Sequence, residues 1–392
     1  MATVPIEQLT GVRLQALPPL SLYVHIPWCI RKCPYCDFNS HEQKSGVQEA
    51  RYIDALTSDL DHALPNIWGR KVYSIFFGGG TPSLFSAEGI DRILANIRAR
   101  VNLDPDAEIT LEANPGTFEF EKFKGFREAG VNRLSIGIQS FNATHLKALG
   151  RVHDADEAKR AVEIGLTHFD NLNLDLMFAL PEQTLAECEA DIATAISFAP
   201  PHLSIYHLTL EPNTLFHRFP PPLPDDDLAA DMQLMIAERT ASAGYGHYET
   251  SAYSQPGRES RHNLNYWRFG DYLGIGAGAH SKISFPDRIT RQVRFKQPAQ
   301  YMDAALAGNA IQEDKVVARK ELPFEFMLNA LRLAVGFDTQ LFEERTGLSI
   351  ANIRTALADA EFRGFIERDL ARIRPTELGR RFQNDLLELF LP

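Results

Sequence analysis

The stretch Tyr23-Val-His25-Ile-Pro-Trp-Cys29-Ile-Arg-Lys-Cys33-Pro-Tyr35-Cys36-Asp-Phe38 decides the reading of this chain. Three of the four cysteines stand there, spaced Cys-x3-Cys-x2-Cys, directly after an apolar run that reads as a strand. Clustered thiolates of this kind can hold three irons of a [4Fe–4S] cube, and no nearby fourth cysteine closes the last iron. An iron without a protein ligand is a place for something else to bind. A structural zinc site wants four closed ligands, the last of which His25 would have to supply. A disulfide framework wants an even cysteine count in a secreted chain. Iron–sulfur ligation is the stronger reading.

Working outward, apolar or alternating runs predict six strands: Leu20–Ile26, Val72–Phe77, Glu108–Glu112, Arg133–Ile138, Phe169–Met177 and Leu203–Leu210. Helical patterns fall between them at Glu49–Leu64, Ser86–Val101, Phe118–Ala129, Asp156–Gly165 and Thr184–Ala199. Such alternation predicts an α/β fold, a parallel sheet of right-handed βα units curled into a partial (β/α)6 barrel. Ligand-binding residues of parallel sheets collect at the C-terminal ends of the strands. The cysteines, Gly78-Gly79-Gly80-Thr81, Glu112, Asn114, Gln139, Asp175, Thr209 and Glu211 all lie at such ends, so they are expected on one rim.

The cysteine motif resembles that of the radical S-adenosylmethionine (SAM) superfamily, whose open iron binds the amino and carboxylate groups of SAM. Beside it, Gly78–Thr81 looks like the superfamily's glycine segment against the methionine part of SAM. It is not a dinucleotide fingerprint, because the Gly-x-Gly-x-x-Gly spacing is missing. A guanidinium such as Arg151 suits the SAM carboxylate, and Asp175 can accept from ribose hydroxyls. From Tyr23 to beyond Tyr266 the chain is similar to the family containing the oxygen-independent coproporphyrinogen dehydrogenase and the HemW-type heme chaperones. By that resemblance Tyr23, Tyr35, Gly79, Gly80, Thr81, Glu112, Gln139, Arg151 and Asp175 are expected to contact SAM, and Cys29, Cys33 and Cys36 to ligate the cluster.

Two features separate the branches of that family. The dehydrogenase motif continues as Cys-x-Cys, whereas Phe38 stands at the extra position here, and only 28 residues precede Cys29. His262-Asn-Leu-Asn-Tyr266-Trp267 resembles the His-Asn-x-x-Tyr-Trp motif of the chaperone branch. Imidazole is a common heme ligand and aromatic rings offer flat surfaces to a porphyrin, so His262, Tyr266 and Trp267 are expected heme contacts. His280 follows as a residue of the SAM pocket or of a loop. His25 is expected to support the cluster strand, His153 to lie on the surface, and Cys188 to be incidental.

Composition excludes several functions. With 40 basic against 51 acidic side chains the net charge is −11, which argues against a nucleic-acid partner. No membrane span and no signal peptide is apparent, so the cytoplasm is expected, where thiolates stay reduced. The expected organisation is an N-terminal arm (1–19), a radical SAM partial barrel (20–215), an extension carrying the His262 segment (216–310) and a helical, winged-helix-like C-terminal domain (311–392). That last region carries 12 basic and 14 acidic side chains, which speaks against DNA binding there. The resemblance implies a heme chaperone that passes heme to acceptor proteins such as respiratory enzymes. An oxygen-independent coproporphyrinogen dehydrogenase and a radical SAM methyltransferase are the alternatives.

Overall fold

The computed structural model describes residues 11–43 and 46–392, so residues 1–10 of the expected N-terminal arm lie outside the described residues. Six parallel strands follow in chain order: β1 Leu20–Ile26, β2 Lys71–Gly79, β3 Asn102–Ala113, β4 Arg133–Gln139, β5 Leu172–Phe178 and β6 His202–His207. Between them run α1 Glu49–Ile67, α2 Ala87–Arg98, α3 Thr117–Ala129, α4 Ala143–Ala148, α5 Ala155–His168 and α6 Leu185–Ser197. The strands pair in sequence order, each parallel to the next. This is the expected partial barrel.

Period-two alternation explains how it forms. Leu20, Leu22, Val24 and Ile26 point to the helices and are essentially fully buried, as are Ile75 and Phe77, Ile109 and Leu111, and Leu134 and Ile136. Each such side chain stabilises the fold by roughly 1.5–3 kcal/mol. The alternate positions face the barrel interior and are polar: Ser21 and His25, Ser74, Thr110, Ser135, Asn173 and Asp175, His202 and Ser204. Local signals delimit the helices. Ser86 caps α2 by accepting from Gly89 N–H, and reciprocal capping boxes Asp154/Glu157 and Thr184/Glu187 start α5 and α6. Gly130, at φ 110°, ends α3 in a conformation that favours glycine.

The sheet is wider than six strands. After β6 come the four-residue α7 Leu215–Arg218, α8 Asp226–Ser242, β7 Gly246–Glu249, β8 Ala252–Ser254 and α9 Arg261–Trp267. Then follow β9 Asp271–Ile275, β10 His280–Phe285, β11 Arg288–Arg294 and β12 Ile311–Val316, and the whole order is β12-β11-β10-β9-β1-β2-β3-β4-β5-β6-β8-β7. β9 runs parallel to β1, making a seventh parallel strand, while β10–β12 and β7–β8 are antiparallel additions at the two edges. A buried ion pair fastens this extension to α1. Arg294 Nε lies 3.3 Å from Asp59, whose other oxygen accepts from Tyr301 Oη at 2.9 Å.

Beyond β12 the chain forms five α-helices and a short 3-10 helix, Ile350–Ile353, around a three-stranded antiparallel sheet, Phe337–Asp338, Ile366–Arg368 and Arg372–Pro375. Its core packs Phe326 edge-on against Phe337, Phe342 and Phe269, the last contributed from beside β9.

Candidate functional site

The loop after β1 carries all three cysteines, and backbone hydrogen bonds hold it over the end of β2. Gly80 N–H donates to Ile26 O and Thr81 N–H to Trp28 O, both at 2.7 Å. A Cβ at Gly80 would stand 2.5 Å from Trp28 O, and one on Gly79, at φ +114°, would meet the His25 ring. Both glycines are therefore required by close backbone approach.

Cys29, Cys33 and Cys36 are free, half-buried thiols on one cavity of about 350 Å³. Tyr35, Gly79, Gly80, Thr81, Glu112, Gln139, Arg151 and Asp175 line the same cavity, so strand ends spread over nearly the whole barrel converge there. Thr81 Oγ1 donates to Cys29 Sγ (3.6 Å), Arg151 Nη1 to Cys33 Sγ (3.6 Å), and Ser40 Oγ lies 3.7 Å from Cys36 Sγ. Asn114 joins the set by donating to Thr81 Oγ1 (2.8 Å) and accepting from Arg151 Nη2 (2.6 Å). Gln139 sits at φ 68°, a strained position for a non-glycine residue at a bulge in β4.

Among the described residues no three His, Cys, Asp or Glu side chains converge on a single ion position. A cube takes each thiolate on a different iron and does not ask for such convergence, whereas one zinc ion does. Both nitrogens of His25 are engaged, Nδ1 with Tyr23 Oη (3.1 Å) and Nε2 with Asn39 O (2.9 Å), so the ring braces the cysteine loop. Three partly exposed sulfurs, each met by a hydrogen-bonding or cationic group, suit an iron–sulfur cluster.

The cavity floor holds two carboxyls in a dry setting. Burial, then the neighbouring Asp175, raises Glu112 to about 8, although Gly79 N–H donates to its Oε2 at 3.2 Å. Burial likewise pushes Asp175 up. A cationic ligand entering here would ionise them.

Several expected site residues lie elsewhere. Tyr23 sits below the cavity floor, its ring against both Phe76 (6.2 Å) and His262 (6.4 Å). His262 is 3 % exposed, because α9 plugs the barrel interior. Its ring stacks on Phe76 at 4.8 Å and lies 4.9 Å from Tyr266, and its Nδ1 pairs with Ser74 Oγ at 3.2 Å. Burial lowers its pKa to about 3. Tyr266 stacks on Tyr272 at 4.2 Å, and Arg332 covers Trp267 at 4.3 Å. His280 is exposed and outside the cavity lining. His153, expected on the surface, is buried with Nε2 on Ile138 O at 3.1 Å. That pairing spans two elements, which composition around His153 does not reveal.

A hydrogen-bonded column joins cavity and plug. Asp175 accepts from Ser135 Oγ and Asn173 Nδ2, both at 2.9 Å, and Asn173 Oδ1 accepts from His202 Nδ1 at 2.5 Å. His202 Nε2 accepts from Tyr248 Oη (2.8 Å), which itself accepts from Ser260 N–H (3.3 Å) at the start of α9. Glu108 accepts from Ser260 Oγ (3.5 Å) and His262 N–H (3.1 Å).

Ser135, Met177, Tyr206 and His207 also line the cavity and carry no motif. Strand periodicity was the available signal for Ser135, Met177 and Tyr206, each two residues from another inward position; His207, next to Tyr206, falls outside it.

Comparison with known proteins places this geometry. Residues 23–195 match the Radical SAM superfamily and residues 317–382 the HemN C-terminal domain. The chain is 50 % identical to the heme chaperone HemW of Haemophilus influenzae over 381 residues, covering 96 % of this chain and 98 % of that one. It is 49 % identical to HemW of Escherichia coli, with 96 % and 99 % covered, and 35 % identical to HemW of Bacillus subtilis, with 95 % and 99 % covered. Among solved structures, the coproporphyrinogen III oxidase HemN of Escherichia coli superposes with a TM-score of 0.81 at 24 % identity, over 97 % of this chain and 92 % of that one; this likeness is one of fold.

Proposed function

Because the chain belongs to the HemW family of heme chaperones within the radical SAM superfamily, we propose that it binds heme and hands it to acceptor proteins. The observation that carries this reading is near full-length identity of 50 % to a heme chaperone, in a chain whose cysteine loop has Phe38 where the dehydrogenase branch has a further cysteine. Cys29, Cys33 and Cys36 would hold a [4Fe–4S] cluster. Arg151, Glu112 and Asp175 would receive the carboxylate, amino and ribose groups of SAM, with Gly79, Gly80 and Thr81 against its methionine part and Tyr35 and Gln139 completing the wall. Bound together, cluster and SAM supply one-electron chemistry. The protein's own residues orient the sulfonium, hold Glu112 and Asp175 ready to ionise, and exclude water from the cavity floor. Among the described residues no helix is long and apolar enough to cross a membrane, and a cytoplasmic location remains part of the proposal.

The test is anaerobic reconstitution, heme titration and transfer to a heme-depleted acceptor, with 5′-deoxyadenosine measured with and without coproporphyrinogen. Stoichiometric heme binding and transfer is the expected result. Coproporphyrinogen-dependent deoxyadenosine with decarboxylated product would overturn it in favour of the dehydrogenase. Replacing any one of Cys29, Cys33 or Cys36 by Ser should abolish the cluster's absorbance, and a fully loaded single variant would remove that residue from the ligand set.

A further inference from the structure

Resting on the reading of the chain as a heme carrier, we propose that heme docks at the mouth of the cysteine cavity, its ring face on an exposed apolar rim and its iron ligated by His207. The motif histidine does not offer a site in this conformation. His262 is buried, with Phe76 stacked on its ring, Tyr266 beside it and Ser74 on Nδ1, so a porphyrin cannot bring its iron to Nε2 without displacing α9.

The mouth is built differently. Ile30, Phe38, Val152, Leu215 and Phe219 are each between 55 and 66 % exposed. Each lines the cavity or lies within three positions of a residue that lines or flanks it. Ile30 follows Cys29, Phe38 lines the cavity, and Val152 follows Arg151, which donates to Cys33. Leu215 and Phe219 flank Phe216, whose N–H donates to Pro34 O at 3.0 Å and whose ring lies 6.3 Å from Tyr35. Scattered exposed apolar residues need no explanation, but a ring of them around a polar cavity marks a ligand or partner surface.

His207 makes the choice of ligand. It lines the cavity, is exposed, and is fixed by stacking on Phe178 at 5.0 Å and 27°. Among the described residues its ring nitrogens have no hydrogen-bond partner, unlike those of His25, His153, His202 and His262. Burial against the wall lowers its pKa, which keeps the imidazole in its ligating form. Arg31 on the cavity wall and Arg218, 5.2 Å from the Phe219 ring, supply cations for the two propionates. Asp37 and Glu211 also reach the lining, so the propionates belong on the arginine side. An apolar face, a free imidazole and two guanidinium groups together fit heme better than they fit a peptide.

The experiment titrates ferric heme into the full chain, wild type and variants, reading the Soret band for affinity and electron paramagnetic resonance for the axial ligand. His207→Ala should weaken heme about tenfold or more and remove the histidine-ligated signal, and Phe219→Ser should weaken it several-fold. Both side chains are exposed, so folding is preserved, and thermal melts verify this. His262→Ala should leave the histidine-ligated signal in place. Loss of that signal in His262→Ala with His207→Ala unchanged would overturn the proposal. So would unchanged affinity in Phe219→Ser with impaired transfer, which would make the rim a surface for the acceptor protein. Absence of heme binding by the wild-type chain would instead remove the chaperone reading itself.

Discussion

Acid should open the α9 plug. In the folded protein His262 stays neutral until about pH 3, because burial disfavours the imidazolium, whereas a freed histidine titrates near 6.5. The folded pKa is depressed for a base, so the open state binds more protons between these limits and the plug loses stability as pH falls through 6.5. Between pH 7.5 and pH 5.0 this difference amounts to about 2 kcal/mol, or about a 30-fold rise in the opening constant. The groups facing the ring do not reverse the sign: Ser74, Phe76, Tyr23 and Tyr266 stay neutral in this range, and Arg133 disfavours the imidazolium further. Glu108 accepts from the backbone N–H of His262 rather than from its ring. Amide hydrogen exchange across 260–268, corrected for intrinsic rates, reads the opening directly. His262→Gln removes the titrating group and should flatten the pH slope. Equal exchange at both pH values in the wild type, or an unchanged slope in the glutamine variant, would refute the assignment of that slope to His262.

Gly80→Ala should cost about 1–3 kcal/mol and cluster loading with it, because its Cβ would meet Trp28 O at 2.5 Å; a melt and iron content within error of wild type would count against this. Asp59→Ala strips the fully buried Arg294 of its carboxylate, with an expected loss of about 3–5 kcal/mol by denaturant titration; a loss below about 1 kcal/mol would mean that Arg294 finds another partner. SAM binding near pH 7 should release up to one proton as Glu112, held at about 8 in the empty cavity, ionises beside the cationic ligand. Calorimetry in buffers of different ionisation heat measures this release, and Glu112→Gln should abolish it.

Sequence and structure agree most closely where local chemistry and burial point the same way. The strand Leu20–Ile26 was legible residue by residue because every second side chain is aliphatic and both faces are covered. α5 and α6 lie where the helical patterns fall, and capping boxes fix their starts. β3 begins at Asn102 rather than Glu108, because its first residues are polar and include Pro105, which read as a loop but lie at the barrel's foot. Phe169 caps α5 instead of opening β5, its ring buried by tertiary packing that no local pattern records. β9 carries a glycine in five residues and owes its place beside β1 to pairing some 250 positions away. The C-terminal region read as helical, since strands of two to four residues are too short for a period to register. The cavity lining was legible where motifs marked it, as at the cysteines and Gly79–Thr81. His207 was not, because a single histidine near a strand end has no pattern of its own.

The position of His262 bears on where cargo can be held at low cost. Withdrawing α9 would leave the buried Glu108 carboxylate without the donors Ser260 Oγ and His262 N–H, at about 1–3 kcal/mol for each group left unsatisfied. It would also expose the stacked faces of Phe76, Tyr23 and Tyr266, and break the column that runs through Tyr248, His202 and Asn173 to Asp175 on the cavity floor. Heme at the mouth asks for none of this: Phe38 and Phe219 are already exposed, and the His207 ring has no hydrogen bond to give up. For equal intrinsic affinity, a site that must first unpack the barrel is weaker by the whole unpacking energy. The mouth therefore holds the energetic advantage at neutral pH. Acid narrows it by about 2 kcal/mol at pH 5, by making α9 easier to release.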